Sequence, residues 1–243
     1  MHDTAMMYAK HFFSAYLQGE TGLKIVEIGS QDVNGSLKSV APVNNDYIGV
    51  DFVEGKGVDI ILSDPYVLPF EDSSIDVILS SSCYEHSEFF WLSFNEALRI
   101  LKPTGLLYIN APSNGPYHRY PVDCWRFYPD SGVALEKWAN RSGYECALLE
   151  SFTGVKKGGM WNDFVSVFVK DKTNASKFRS RIQNNTTEFM NGRLLNSEKI
   201  INQQNANQEG AKVNLSLQQL ESILSNLKVQ HPEITERLKA ILE

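Results

Sequence analysis

The stretch that most constrains this chain is Lys24–Leu37, KIVEIGSQDVNGSL. A short apolar strand carries one acid, Glu27, and a turn of small and polar residues that holds Gly29 and Gly35 follows it. Glycines let the backbone approach a ligand, and a carboxylate accepts hydrogen bonds from hydroxyl or ammonium groups. The stretch is therefore typical of a nucleotide-type cofactor loop at the end of a strand.

Three later segments repeat the same arrangement of an apolar strand followed by polar residues. YIGVD ends at Asp51, SDPYVLPF contains Asp64, and IDVILSSSCYEH ends at His86. Their spacing is the one that an open α/β sheet requires, and ligands of such sheets bind beyond the carboxyl ends of the strands. The segments therefore predict one shared pocket.

Together with the later strand LKPTGLLYINAPS, these segments resemble the class I S-adenosylmethionine-dependent methyltransferases over roughly residues 23–169. The resemblance implies an α/β, Rossmann-like, mostly parallel seven-stranded sheet with an antiparallel final strand. It also implies S-adenosylmethionine as cofactor and S-adenosylhomocysteine as product. The loop departs from the family pattern E/D-x-G-x-G-x-G, because Gln31 and Val33 stand where glycines are common.

The resemblance assigns roles to residues of the cofactor site. Glu27 orients the loop and the methionine end, Asp51 accepts both hydroxyl protons of the ribose, and Asp64 accepts from the adenine amino group. Pro65 has no N–H to offer the adenine ring, so Tyr66 is a candidate for that contact. The full predicted cofactor set is Glu27, Gly29, Ser30, Asp51, Phe52, Asp64, Pro65, Tyr66, Ser81 and Ser82.

The run after the fifth strand, PSNGPYHRYPVDCWRFYPD, is dense in aromatic and charged residues. Aromatic faces stack on sugar rings, and arginine forks bind carboxylate or phosphate. We predict His118 as the first candidate for the general base and Asp123 as the second. The predicted substrate-binding residues are Glu85, His86, Tyr117, Arg119, Trp125, Arg126 and Trp161; no metal ligands are predicted. The alternative is a salt-bridged surface loop with some core aromatics.

The pattern H-R-Y-P-x-D-x-W-R-F within this run is similar to methyltransferases found among bacterial surface-polysaccharide enzymes. This resemblance implies methyl transfer to a hydroxyl of a sugar, nucleotide-sugar or glycan intermediate. Two alternatives stay open: an N- or O-methyltransferase of a non-sugar small molecule, and a non-catalytic cofactor-binding scaffold. A nicotinamide oxidoreductase is disfavoured, because the G-x-G-x-x-G fingerprint is absent after the first strand.

Composition divides the chain into a predicted methyltransferase domain, residues 1–172, and a helical tail, residues 173–243. The first part holds 14 basic and 22 acidic side chains, and the second holds 9 and 7. From Val213 to Leu227, apolar residues recur at steps of four and three, which predicts a coiled-coil seam for oligomerisation or for docking to a partner enzyme. A tail that remains disordered is the alternative.

The overall charge and the cysteines limit the class of protein further. The net charge of -6 argues against a general nucleic-acid partner. Three widely spaced cysteines form neither a disulfide framework nor a metal motif, which indicates a reducing compartment. No apolar run approaches the ~20 residues of a membrane span, and the N-terminus lacks a signal pattern. We therefore expect a cytoplasmic protein.

Overall fold

The computed structural model describes residues 3–157, 161–204 and 225. The described residues up to Gln204 belong to one compact unit. The predicted coiled-coil seam, apart from Ser225, and the rest of the predicted helical tail after Gln204 lie outside the described residues. None of the described helices is long and apolar enough to cross a membrane.

An eight-stranded sheet organises the first unit. Its strands are β1 (Lys24–Ile28), β2 (Asp46–Asp51), β3 (Ile60–Ile61), β4 (Ile75–Ser81), β5 (Leu101–Pro112), β6 (Ala147–Gly154), β7 (Asp163–Val169) and β8 (Phe189–Leu194). They lie in the order β3-β2-β1-β4-β5-β7-β6-β8. The first five strands pair in parallel, and the pairs β5–β7, β7–β6 and β6–β8 are antiparallel. The predicted Rossmann-like α/β sheet is confirmed.

The number of strands differs from the prediction of seven. Strand β8 pairs with the outer edge of β6, so an additional antiparallel strand closes this side of the sheet. The strand carries Gly192 and Asn191, residue types that are uncommon in strands, and Asn191 has a positive φ of 54°. The local sequence therefore gave little indication of a strand, and pairing with β6 decides the outcome.

Helices cover both faces of the sheet. They are α1 (Asp3–Tyr16), α2 (Phe90–Ile100), α3 (Pro129–Arg141) and the short α4 (Ile182–Asn185); 3-10 turns span Leu37–Ser39, Tyr84–His86 and Lys172–Lys177. One apolar core contains residues of α2 and α3, and the other contains residues of α1. Between β1 and β2 there is only a 3-10 turn, and no helix separates β2 from β3. This edge of the sheet therefore has short connections without α-helices.

Local interactions set two element boundaries. Strand β5 begins at Leu101, because Leu101 already pairs with Ile75 across an irregular register. Helix α3 is capped by Tyr128, and Pro129 occupies the first turn, where its missing N–H costs nothing.

Residues 173–204 belong to the first unit, so the unit boundary after Gln204 does not coincide with the predicted boundary after residue 172. The buried carboxylate of Glu150 fastens this segment to the sheet. It accepts hydrogen bonds from the Tyr16 hydroxyl at 2.7 Å and from the N–H groups of Ile182 at 2.6 Å and Gln183 at 3.1 Å. One side chain of β6 thus joins α1, α4 and the sheet.

Replacing Glu150 by Ala should lower the free energy of unfolding by at least about 2 kcal/mol, because a buried hydroxyl and two buried N–H groups lose their acceptor. Urea denaturation followed by circular dichroism measures the change. Glu145→Ala is the matched control, since Glu145 and Lys172 form an exposed ion pair at 3.2 Å, and its loss should cost less than about 1 kcal/mol. Equal losses in the two variants would contradict this account.

Candidate functional site

The carboxyl ends of three neighbouring strands form the floor of the candidate site. Ile28 of β1 pairs with Val50 of β2 on one side and with Ser80 of β4 on the other. The residues just beyond this row are Gly29, Asp51 and Ser81, so the register brings three predicted cofactor residues to one edge of the sheet. This is the position where ligands bind in open α/β sheets.

The loop after β1 crosses this edge closely. Gly29 has a φ of 76°, and a Cβ atom there would lie 2.6 Å from the Cβ of Cys83, so only glycine fits. The N–H groups of Gly29 and Ser30 donate to the Val50 carbonyl. Gly29 therefore lies against Cys83, which is two residues beyond β4, while its predicted approach to the ligand stays a prediction.

The loop keeps its turn without the glycines that the family pattern usually has. The Asp32 carboxylate accepts from the Gly35 N–H at 2.7 Å and from the Lys56 ammonium at 2.5 Å. Gln31 donates from its side chain to the Glu54 carbonyl at 3.3 Å. Side-chain contacts to the segment after β2 thus stabilise the backbone of this loop, which in the glycine-rich pattern depends on glycines.

Glu27 is buried beneath this loop, with 1% of its surface exposed. Its carboxylate accepts from the Tyr47 hydroxyl at 2.6 Å and from the backbone N–H of Leu37. Burial raises the pKa of this carboxyl to about 7, against the lowering effect of these hydrogen bonds. The arrangement fits the predicted role in orienting the loop, whereas a direct contact with a ligand stays a prediction.

Asp51 at the end of β2 is already partly engaged. Its Oδ1 accepts from the N–H groups of Phe52 at 2.7 Å and Val53 at 3.3 Å, and its Oδ2 accepts from the Gln31 N–H at 3.2 Å. A carboxylate offers about four acceptor positions. About one therefore remains for a ligand, which corrects the expectation that Asp51 accepts two ribose protons in this conformation.

The predicted adenine-binding residues lie on the outer part of the same edge. Asp64 follows β3, is exposed, and accepts from the Tyr66 N–H at 2.8 Å. The Tyr66 hydroxyl accepts from the Phe89 N–H at 3.2 Å, so this side chain is directed toward the start of α2. Phe52 is 47% exposed and could cover an apolar ring. The adenine contacts of Asp64, Pro65 and Tyr66 stay predictions.

Beside the end of β4, the structure brings Glu85, His86 and His118 together. One ligand atom from each side chain lies within 4.8 Å of the others. The rings of His86 and His118 meet edge to face with centroids 4.8 Å apart. Burial raises the pKa of the Glu85 carboxyl to about 8, and burial also lowers the pKa of His86. The cluster combines two predicted substrate-binding residues with the predicted base.

Asp123 is held by Arg126 in a two-pronged ion pair with N–O distances of 2.5 and 2.8 Å. This pairing lowers the pKa of Asp123 to about 2, so the carboxylate is a poor proton acceptor near neutral pH. Its Oδ2 lies 3.4 Å from Nδ1 of His118 and accepts the backbone N–H of that residue at 2.6 Å. The geometry therefore favours Asp123 as the residue that positions His118, and it disfavours the predicted role as second base.

The other predicted substrate residues are divided between the cluster and the surface. Trp161 lies beside His118, with ring centroids 4.8 Å apart. Tyr117 is 73% exposed, and Arg119 is exposed and donates to the Pro121 carbonyl. Trp125 donates to the Ser87 carbonyl and packs against aromatic residues at the start of α2. Trp125 therefore supports the loop after β5. This agrees with the alternative for that loop, in which some of its aromatic residues belong to the core.

The sequence reasoning missed a contact that spans the site. The Tyr120 hydroxyl donates to the side-chain oxygen of Gln31 at 3.1 Å, and this joins the loop after β5 to the loop after β1. The replacement of a family glycine by Gln31 was visible in the sequence, but its partner 89 residues away was not. Cys83, which packs on Gly29, was also not predicted as a site residue.

Comparisons with known proteins agree with this architecture. Residues 32–109 match the family model described as "Methyltransferase domain". The matched residues make up about a third of the chain and are similar to that family. The match supports the methyltransferase resemblance over these residues, while the likeness to polysaccharide enzymes stays a prediction.

A curated relative from Mycolicibacterium vanbaalenii, named "Uncharacterized methyltransferase", is 30% identical over 116 residues, which cover 43% of this chain and 45% of the relative. The chain thus spans less than half the length of that relative.

Among solved structures, the Burkholderia thailandensis 1,6-didemethyltoxoflavin-N1-methyltransferase has a TM-score of 0.55 at 16% identity, over 69% of this chain and 79% of that chain. A chain of the complex that contains the Haloferax volcanii Trm112 methyltransferase activator has a TM-score of 0.50 at 16% identity, over 68% and 88%. These likenesses establish the fold.

The raised pKa of Glu27 predicts a pH-dependent stability. The folded protein keeps the proton up to about pH 7, whereas the unfolded chain releases it near about pH 4.3. The contribution of Glu27 to the free energy of unfolding is therefore complete below the unfolded pKa and is lost as the pH rises through about 7. Thermal unfolding between about pH 5 and about pH 8 should show a smaller decline in Glu27→Gln than in the wild type.

Glu20→Gln is the matched control, because Glu20 is exposed in the loop that follows α1. It should retain the wild-type decline. The account of Glu27 is wrong if the two variants have the same pH dependence.

Proposed function

We propose that the protein is an S-adenosylmethionine-dependent methyltransferase whose donor site lies at the carboxyl ends of β1, β2 and β4. The observation that carries the proposal is the coincidence of Gly29, Asp51 and Ser81 at that edge. Asp51 and Ser81 lie within the segment that matches the methyltransferase family, and Gly29 lies just before it. The methyl donor is S-adenosylmethionine, and the Burkholderia neighbour, solved with bound S-adenosylhomocysteine, supports this assignment.

The residues at this edge fit a polar ligand of that kind. The hydroxyl oxygens of Ser30 and Ser81 are buried and have no hydrogen-bond partner among the described residues. Asp51 keeps about one acceptor position, and Gly29 leaves the loop backbone free of a side chain. When bound, the cofactor supplies an electrophilic methyl group on a sulfonium centre, which favours in-line attack by an acceptor atom.

Proton removal from the acceptor is assigned to His118. A proton on its Nδ1, which faces the Asp123 carboxylate, leaves the lone pair on Nε2 for the incoming proton. The Asp123–Arg126 pair fixes the loop and stabilises the charged imidazole. Positioning of the acceptor supplies most of the rate, and base assistance contributes about 10²–10⁴.

The proposed acceptor is a hydroxyl of a sugar, nucleotide-sugar or glycan intermediate. Tyr117, Tyr120 and Trp161 support this choice, because they offer aromatic surface beside His118 on which a sugar ring can stack. The second candidate is methylation of a nitrogen or a non-sugar small molecule. The Burkholderia neighbour, an N1-methyltransferase by name, motivates that alternative.

A role for the C-terminal residues stays part of the proposal. The apolar repeat from Val213 to Leu227 favours a homo-oligomer or docking to another biosynthetic enzyme. A non-catalytic scaffold that binds the cofactor and acts through this segment is the alternative, and it gains support if no acceptor is methylated.

Asp51→Asn should weaken the binding of S-adenosylhomocysteine by about 10–100-fold, because a hydrogen bond to a charged group is lost. Isothermal titration calorimetry measures the affinity directly. Asp46→Asn is the matched control at the opposite end of β2 and should leave the affinity unchanged. An unaltered affinity in Asp51→Asn would reject the proposed donor site.

His118→Gln should reduce methyl transfer by about 10²–10⁴ while the affinity for S-adenosylhomocysteine changes less than about twofold. Transfer is measured with labelled donor and a panel of nucleotide-sugars and glycans. His11→Gln, the same substitution on α1, should retain full turnover. Wild-type turnover in His118→Gln would show that this imidazole is not the base.

A further inference from the structure

The cluster of Glu85, His86 and His118 has the composition of a metal-binding site. Within residues 3–157 and 161–204, these three side chains are the group of ligand-type residues whose donor atoms converge, all within 4.8 Å. Glu85 Oε1 lies 3.7 Å from Nε2 of His86. A bound ion requires donor atoms about 3 Å apart, since its bonds to nitrogen and oxygen are about 2.1 Å long. His118, whose side chain is 38% exposed, has room to close this gap.

The Glu85 carboxyl group is directed into the cluster without a full set of partners. Its side chain is 1% exposed, and no described residue donates a hydrogen bond to its Oε2. Arg126 acts electrostatically on Glu85 and forms a two-pronged pair with Asp123. A buried carboxyl group keeps its proton, as the raised pKa of Glu85 indicates, unless a paired charge or a metal ion offsets the desolvation of its charged form.

His86 is oriented in the way that metal-binding histidines are. Its Nδ1 donates to the Val122 carbonyl at 2.5 Å, which leaves the lone pair on Nε2 facing Glu85. A carbonyl behind an imidazole fixes the tautomer and raises the basicity of the ligand nitrogen. Nδ1 of His118 lies 3.4 Å from the Asp123 carboxylate and makes no hydrogen bond with a described residue, so either nitrogen of His118 is available to an ion.

We propose that Glu85, His86 and His118 bind one divalent transition-metal ion beside the methyl-transfer site. Two imidazoles and one carboxylate suit ions such as Zn²⁺, Co²⁺, Mn²⁺ and Fe²⁺, and the set leaves coordination positions open for another ligand. The sequence analysis predicted no metal ligands, because Glu85 and His86 are separated from His118 by 31 residues and form no local metal motif.

The consequence for turnover rests on the proposed function. A bound ion would act as a Lewis acid and lower the pKa of an acceptor hydroxyl that coordinates it. The hydroxyl proton would then pass to solvent, the new oxygen–methyl bond would replace the methyl–sulfur bond of the donor, and S-adenosylhomocysteine would leave. His118 would hold the ion in that state and would accept the proton in the ion-free state. Ion binding itself is independent of methyl transfer and is tested without a methyl donor.

The experiment titrates Co²⁺ into the full-length, chelator-treated protein and follows calorimetric heat and visible absorption. The wild type should bind one ion with nitrogen and oxygen ligands and show no thiolate charge-transfer band. His86→Gln and His118→Gln should each weaken binding at least tenfold, a loss typical of a missing ligand or its support. His11→Gln should bind as the wild type does, and unchanged far-UV circular dichroism shows that each variant is folded.

Absence of stoichiometric binding would overturn the proposal, as would binding that both histidine variants retain or a thiolate signature from the cysteines. Glu85→Gln provides a second test, because loss of the carboxylate should weaken binding while an amide of the same shape keeps the packing. A wild-type protein that binds Co²⁺ but methylates no acceptor would leave the metal site established and count against the proposed function alone.

Discussion

The site depends on the parallel pairing of β1 between β2 and β4. Parallel strands in register end at the same edge of a sheet, so the residues that follow the strands lie close together as a direct result of the pairing. Gly29, Asp51 and Ser81 come together for this reason, although Gly29 and Ser81 are 52 residues apart in the chain. The close approach of Gly29 to Cys83 then fixes how near the first loop lies to the segment after β4. A side chain at that glycine would push apart the two loops that border the proposed donor site.

Much of this arrangement could be predicted because it depends on local patterns. The apolar strand at the start of Lys24–Leu37 was predicted, and the structure places it at Lys24–Ile28. The segments ending at Asp51 and His86 were likewise predicted to follow strands, and they follow β2 and β4. Strand β8 was not predicted, because Asn191 and Gly192 disfavour a strand and only pairing with β6 stabilises it. The domain boundary was misplaced for the same reason: the contacts of Glu150 with residues 182 and 183 are invisible in the local composition.

In the part of the site assigned to the acceptor substrate, residue type alone did not predict the contacts correctly. Asp123 and Arg126 were each expected to contact substrate, yet they satisfy one another and thereby hold the loop. Tyr120, which carried no predicted role, reaches Gln31 across the site and joins the two loops. Glu85 and His86 were predicted at the right place, but their convergence with His118 needed the path of the loop after β5. Long-range pairing of charged side chains, rather than local pattern, decides which residues stay available for chemistry.

The central claim is that a cofactor binds at the edge where β1, β2 and β4 end, beneath the Tyr120–Gln31 contact. A crystal structure of the full-length protein soaked with S-adenosylhomocysteine tests it most directly. The account predicts density for the ribose within hydrogen-bond distance of Asp51 and density for the amino-acid end along Gly29 and Ser30. Density for the ligand at another surface, or a clear map without ligand at this edge under saturating concentration, would contradict the account.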